Sequence, residues 1–326
     1  MISTTINHLE QFNKTFNVQR FLDVVVKEND IDNYNSDQVL KTILKGMYEA
    51  NDELKKRKPF VDIDETYETS FKNNVKEKGE LVRMYFFCYI IDEWLDYKQI
   101  YKFDVDTLKM LFEQNTLNYT YDEIKALKMP YDCFIIENDL NTGDKIADSM
   151  IIRRKARGDG SIVLSFYGFL KDTKAALFSR DVIIKENQTL KETLDNDKSV
   201  DESDKRFVNH IMSLILYLCQ PKVEIFKKRV ERTKKENKNI KHFYGINYTE
   251  NECGFKLGAA IRNYKYIYEK NEEGTSKRIR TVKPHIRCGH FHHYWTGKGR
   301  KELTVKFIEP TFILGGNKLP TMHEVK

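Results

Sequence analysis

No two of the chain's five cysteines are close enough to form a C-x-x-C pair; Cys88, Cys133, Cys219, Cys253 and Cys288 lie far apart. An odd, scattered set excludes a disulfide framework and a thiolate zinc site, and fits free thiols in a reducing cytosol. Long hydrophobic runs are also missing. The densest, "MYFFCYII" (84–91) and "IMSLILYLC" (211–219), fall short of the roughly 20 residues a membrane helix needs. Both read as buried helix faces, and a membrane is not expected among the partners. The opening "MISTTINHLEQFNKTF" has no apolar core behind a basic start, so no secretory signal is expected and the cytoplasm is the expected location. Neither "GxxxxGK" nor "GxGxxG" occurs, which weighs against nucleotide hydrolysis.

What is present describes a globular protein of 326 residues, 40% apolar and 32% charged, long enough for two domains. Its charge is uneven. Residues 221–326 hold 24 Lys and Arg against 11 Asp and Glu, an excess of +13, so residues 1–220 carry −7 of the net +6. A basic tail on an acidic body suits an anionic partner, RNA first, and equally suits a solvated lysine-rich surface.

Up to about residue 129 the pattern is helical. Ile6, Leu9, Phe12, Phe16 and Phe21 recur at helical steps and predict one buried face. A second helix follows with Ser36 as its cap and Val39, Leu40, Ile43, Leu44 and Met47 inward. "ELVRMYFFCYIIDEWLDY" is apolar nearly all round and therefore central. "DVDTLKMLFEQN" starts near Asp104 or Asp106, and residues 58–74 read as a loop.

From 130 to 326 an α+β region is expected, with "CFIIE" as a strand and "KIADSMIIRRKARGDGSIVLSFYGFL" as a hairpin turning at Gly158-Asp159-Gly160. "DESDKRFVNHIMSLILYLCQ" is a helix capped by Asp201 or Ser203. "PKVEIFKKRVERTKKENKNIKHF" reads as a lysine-rich connector, and "GFKLGAAIRNYKYIYEK" as a helix. The fold class is thus α+β, a helical N-terminal region followed by an antiparallel sheet with packed helices. No Gly/Ser/Pro-rich linker marks the boundary.

The densest chemistry is "KPHIRCGHFHHYWTG" (283–297), which holds four of the eight histidines, His285, His290, His292 and His293, together with Arg287, Tyr294 and Trp295. It precedes a turn at Thr296-Gly297-Lys298-Gly299 and a strand containing Leu303, Val305 and Phe307. In an extended chain His285, Arg287, Phe291, His293 and Trp295 share one face, and Ile286, Cys288, His290, His292 and Tyr294 the other; a bulge at Gly289 changes this partition. His290 and His292 can reach one metal ion, but no acidic residue lies nearby, so no metal or other cofactor is assigned. Imidazoles, Arg287, Lys298 and Arg300 beside aromatic rings can grip phosphate and stack bases. Two imidazoles can also exchange protons in metal-free RNA cleavage, with His285, His290, His292 and His293 as the candidates and Arg287 on the phosphate. The bland alternative is a core strand whose rings bond to main-chain carbonyls, and it weakens as each added ring needs its own partner.

This ribbon resembles the C-terminal signature of a family of anti-CRISPR proteins directed at type V-A systems. The matching residues are Pro284, His285, Arg287, Gly289, His290, Phe291, His292, Tyr294, Trp295, Gly297 and Pro310. Weaker echoes are "LEQFNKTF", "MPYDCFIIE", "ILYLCQPKVEI" and "LGAAIRNYKYI". Cys288, Phe291 and Phe307 depart from the family, which tends to have arginine, tryptophan and tryptophan there. The resemblance implies a phage or mobile-element protein that works in the bacterial host cytoplasm. It implies a binding protein, not an enzyme, that recognises the nascent N-terminal polypeptide of the type V-A effector nuclease and lowers its mRNA and production. Message or ribosome is then a further partner. No motif of the family marks the residues that contact the peptide; Arg287, His290, His292, Tyr294, Trp295, Lys298 and Arg300 are candidate binding residues from the chemistry of the stretch itself. The runner-up is a metal-independent ribonuclease or RNA-binding protein using the His/Arg cluster.

Overall fold

Side chains alternate between the two faces of a strand, so a sheet covered by helices on both sides must be apolar in both registers. The central strands meet that condition. The computed structural model describes residues 9, 16–28, 36–138, 140–141, 146–170, 177–220, 223–231, 247–263, 285–287, 290–300, 302–308 and 311–313. Five helices come first: α1 (Val18–Glu28), α2 (Ser36–Ala50), α3 (Asp52–Arg57), α4 (Ile63–Thr66) running into a π-turn (Tyr67–Phe71), and α5 (Val75–Tyr97). Then come β1 (Gln99–Phe103), α6 (Val105–Phe112), α7 (Tyr121–Ala126), β2 (Cys133–Ile136), β3 (Leu140–Asn141), β4 (Ile146–Ala156), β5 (Ile162–Leu170) and β6 (Leu177–Ile184). The rest are α8 (Leu190–Asn196), α9 (Glu202–Leu218), β7 (Ile225–Val230), β8 (Tyr248–Cys253), helical turns over 255–263, β9 (His285–Arg287), β10 (His290–Thr296), β11 (Glu302–Ile308) and β12 (Thr311–Ile313).

The main sheet runs β6-β5-β4-β2-β1-β8-β7, with β3 beside β4. It is mostly antiparallel, but β1 lies parallel to both β2 and β8. Ile100, Cys133, Ile135, Ile151, Tyr167 and Tyr248 face Phe87, Ile90, Ile91 and Trp94 of α5, with Leu9 in the same cluster. Their chain neighbours Tyr101, Phe134, Ile136, Met150, Ile152 and Phe166 face the opposite way, onto Phe207, Ile211, Leu214 and Ile215 of α9. On its far side α5 meets α1 and α2 through Leu81 and Cys88, against Phe21, Val25 and Ile43. Sandwiched between a sheet and a helix pair, α5 needs apolar residues nearly all round.

Caps account for most helix starts. Asp104, not Asp106, caps α6, accepting from the backbone N–H groups of Asp106 and Thr107 at 3.0 and 3.4 Å. Asp201, not Ser203, caps α9 and forms a capping box with Asp204.

Four local expectations are corrected. The first predicted helix does not run unbroken from residue 6, because Phe16 and Asn17 are non-helical and the Asn17 side chain caps α1 by accepting from Arg20 N–H at 3.1 Å. Residues 58–74 are not one loop. Asp62 caps α4 there, and the π-turn buries Tyr67. The lysine-rich connector contains an edge strand, β7, paired to β8, while residues 232–246 lie outside the described residues. A strand the helical reading of the front region missed, β1, lies inside the sheet between β2 and β8.

Arg262 ties the strand ends together, donating to Asp104 at 2.8 and 3.0 Å and to Asp106 at 2.9 Å. The backbone of Gly258 passes so close that an added Cβ would lie 1.7 Å from Asp104 Oδ1. Asp104 cannot yield, because it caps α6 and accepts from Arg262. Gly258→Ala is therefore expected to lower stability by about 1–3 kcal/mol. Gly79→Ala on α5, where an added Cβ meets nothing within 4 Å, should raise it by about 0.5–1 kcal/mol. Thermal melts of the two variants check this, and equal shifts would contradict the close approach.

Candidate functional site

The histidine stretch divides into two ribbons. β9 pairs antiparallel with β12, from His285↔Ile313 to Arg287↔Thr311. β10 pairs antiparallel with β11, in register from His290↔Ile308 to Thr296↔Glu302. The tip between β10 and β11 has Gly297 and Gly299 at φ 77° and 78°, where glycine carries no steric penalty, and Arg300 at φ 54°. The Cys288-Gly289 pair, with the bulge expected at Gly289, lies outside the described residues, as do the side chains of His285 and Arg287. The structure therefore shows two of the four histidines together on one face, and a third on the opposite face of the same strand.

Within β10 the expected alternation holds. Phe291 and Phe307 pair across the ribbon with ring centroids 5.1 Å apart and, with Val305, pack on the main core. Phe307 also meets Tyr217 of α9 edge-on at 5.6 Å. Its backbone N–H donates to Gln220 Oε1 at 2.6 Å, and Gln220 Nε2 in turn donates to the carbonyl of Leu216 at 2.7 Å. The end of α9 thus grips the ribbon by both apolar and polar contacts.

His293 completes the inner face. Its ring stands edge-on to Tyr119 at 4.8 Å, and Nδ1 lies 3.1 Å from Glu123 Oε1. The other oxygen of Glu123 accepts from the backbone and hydroxyl of Thr120 at 2.7 and 3.0 Å, closing the capping box of α7. One carboxylate therefore starts a helix and holds a strand. Among the described residues the buried Tyr119 Oη finds no hydrogen-bond partner, and burial raises the phenol's pKa, keeping it neutral beside this contact.

The outer face is open. His290, His292 and Tyr294 are all exposed, with His290–His292 centroids 6.4 Å apart and His292–Tyr294 4.5 Å apart. Lys306, opposite His292 in the register, places Nζ 5.3 Å from the Tyr294 ring centroid. The Thr296 and Thr304 hydroxyls bond to one another at 3.1 Å. Trp295, on the inner-face parity but near the tip, is 60% exposed, and Lys298 and Arg300 are exposed in the turn. Sequence reasoning missed Lys306, Glu123 and Tyr119. Strand alternation after the glycine turn pointed to Lys306, whereas nothing local marks a helix residue some 170 positions upstream as the anchor of His293.

Among the described residues, no group of three or more His, Cys, Asp or Glu is placed to hold a metal ion. Cys88, Cys133 and Cys253 are buried, and burial pushes the half-buried Cys219 thiol up to about 12, so these cysteines act as core filler. No described helix is long and apolar enough to cross a membrane.

Glu123→Gln keeps a side chain that serves in a capping box but replaces the carboxylate facing His293. Stability should change by less than about 1 kcal/mol, as for a partly exposed polar contact. Amide exchange across β10 and β11 should nonetheless quicken. Unchanged exchange would show that the Glu123–His293 contact does not hold the ribbon.

A family model described as AcrVA2-like, anti-CRISPR type V subtype A2 family, matches residues 101–315, from within β1 to just past β12. The solved "Crystal structure of AcrVA2" superposes with a TM-score of 0.60 at 18% identity, covering 96% of this chain and 100% of that one, and so shares its fold. No curated protein matches the sequence.

Proposed function

Since this chain belongs to the anti-CRISPR type V subtype A2 family, we propose that it suppresses production of a type V-A effector nuclease by recognising the effector's nascent N-terminal polypeptide and lowering its mRNA. The bacterial cytoplasm, where the effector is translated, is the place for that action. The observation that carries the reading is the β10–β11 ribbon, anchored on its inner face and open on its outer one. A catalytic cleft would bury its working groups among converging polar partners. This ribbon instead offers His290, His292, Tyr294, Trp295, Lys298 and Arg300 to a macromolecule, as a binding protein must. Arg287 and His285 lie in the adjoining strand β9. The charge distribution supports two contacts, with an acidic body and a basic C-terminal third available to different partners.

Titration of the purified protein with a synthetic peptide of the effector's N-terminus tests the first half of the proposal. Saturable binding is expected, and a scrambled peptide of the same composition should not bind. In cells, effector message should fall only when it is translated. Absence of peptide binding, or loss of a message whose start codon is disabled, would contradict it.

A further inference from the structure

We propose that the outer face of the β10–β11 ribbon is a sequence-tolerant platform for single-stranded RNA. The choice of RNA over DNA rests on the message-lowering reading above; the rest is argued from the ribbon. His290, His292 and Tyr294 stand at every second residue of one strand, so their rings form a ladder along the ribbon. All three are open to solvent, as stacking on an incoming base requires. The inner face is occupied by Phe291, His293, Val305 and Phe307, so the ribbon cannot roll over to hide the ladder.

Charge runs the same way. Between residues 290 and 308 the sequence places Lys298, Arg300, Lys301 and Lys306 against a single acid, Glu302. Lys306 lies across the strand pair from His292, so a cation flanks the ladder where a phosphate backbone would track it. An acidic peptide would satisfy the cations and leave the rings without a task, whereas a nucleic-acid strand uses both. Opposite the three rings the register places Ile308, Lys306 and Thr304, none of them an Asn, Gln, Asp or Glu that reads base edges, and the Thr304 hydroxyl is spent on Thr296. Stacking without edge readout binds any sequence.

Anisotropy of a fluorescent oligouridylate of about a dozen nucleotides tests the platform. The intact protein should bind at low salt and leave the oligonucleotide unshortened in EDTA. His292→Ala and Tyr294→Ala, both exposed and so harmless to the fold, should each weaken binding about ten-fold. Lys306→Ala should reduce the slope of log affinity against log salt by about 0.7. Lys56→Ala, on exposed α3, should change neither. No binding, or full binding by the His292/Tyr294 double variant, would overturn the inference, as would tighter binding of oligoglutamate than of RNA. Shortening of the RNA that disappears in His290→Ala would replace the platform with a ribonuclease. Equal affinity for the deoxy-oligonucleotide would overturn the assignment to RNA. Peptide titration of the same variants separates the two proposals: a protein that binds the effector peptide but no RNA keeps its function and loses this inference.

Discussion

The inner face of the ribbon determines what its outer face can do. Glu123, Tyr119, Tyr217 and Gln220 are spread over α7, the segment before it, and the end of α9, and all four hold β10 or β11. Because strand side chains alternate, fixing Phe291 and His293 inward forces His290, His292 and Tyr294 outward. Phe291 and Phe307, partly buried against the main core, contribute apolar attachment, while the Glu123 and Gln220 contacts favour one register, since a slip of one residue would present the wrong side chains.

That anchorage depends on a body built the same way. Alternate residues of β1, β2 and β4 feed two separate helix layers, so neither layer can move without disturbing the other face of the same strands. The α9 helix belongs to the larger layer and reaches the ribbon with its last turn. The family match covers the sheet and the ribbon and leaves out α5 together with the helices before it, of which α1 and α2 pack against the outside of α5.

The sequence made some of this legible and hid the rest for physical reasons. The ribbon and its turn were readable because the two turn glycines and the alternating Leu303, Val305 and Phe307 are local signals. The long helices α5 and α9 were readable from their apolar runs, and the cap of each of α6 and α9 came down to a choice of two residues. The strands β1, β7 and β8 were not. "YTENEC" and "IFKKRV" are polar, and β1 is a five-residue strand whose partner β8 lies about 150 residues downstream. Such pairing is set by tertiary contact, which propensity does not encode. The candidate stretch folds as strands, but the residues that hold its inner face, Glu123 on α7 and Gln220 just past α9, were invisible to a local reading.

The central claim is that the outward rings are the protein's working surface. Its most direct test is suppression in cells carrying a type V-A effector, comparing the unaltered chain with a His290→Ala, His292→Ala, Tyr294→Ala variant. The account predicts that the variant folds and melts like its parent yet leaves effector protein and message at their uninhibited levels. Full suppression by that variant would contradict it.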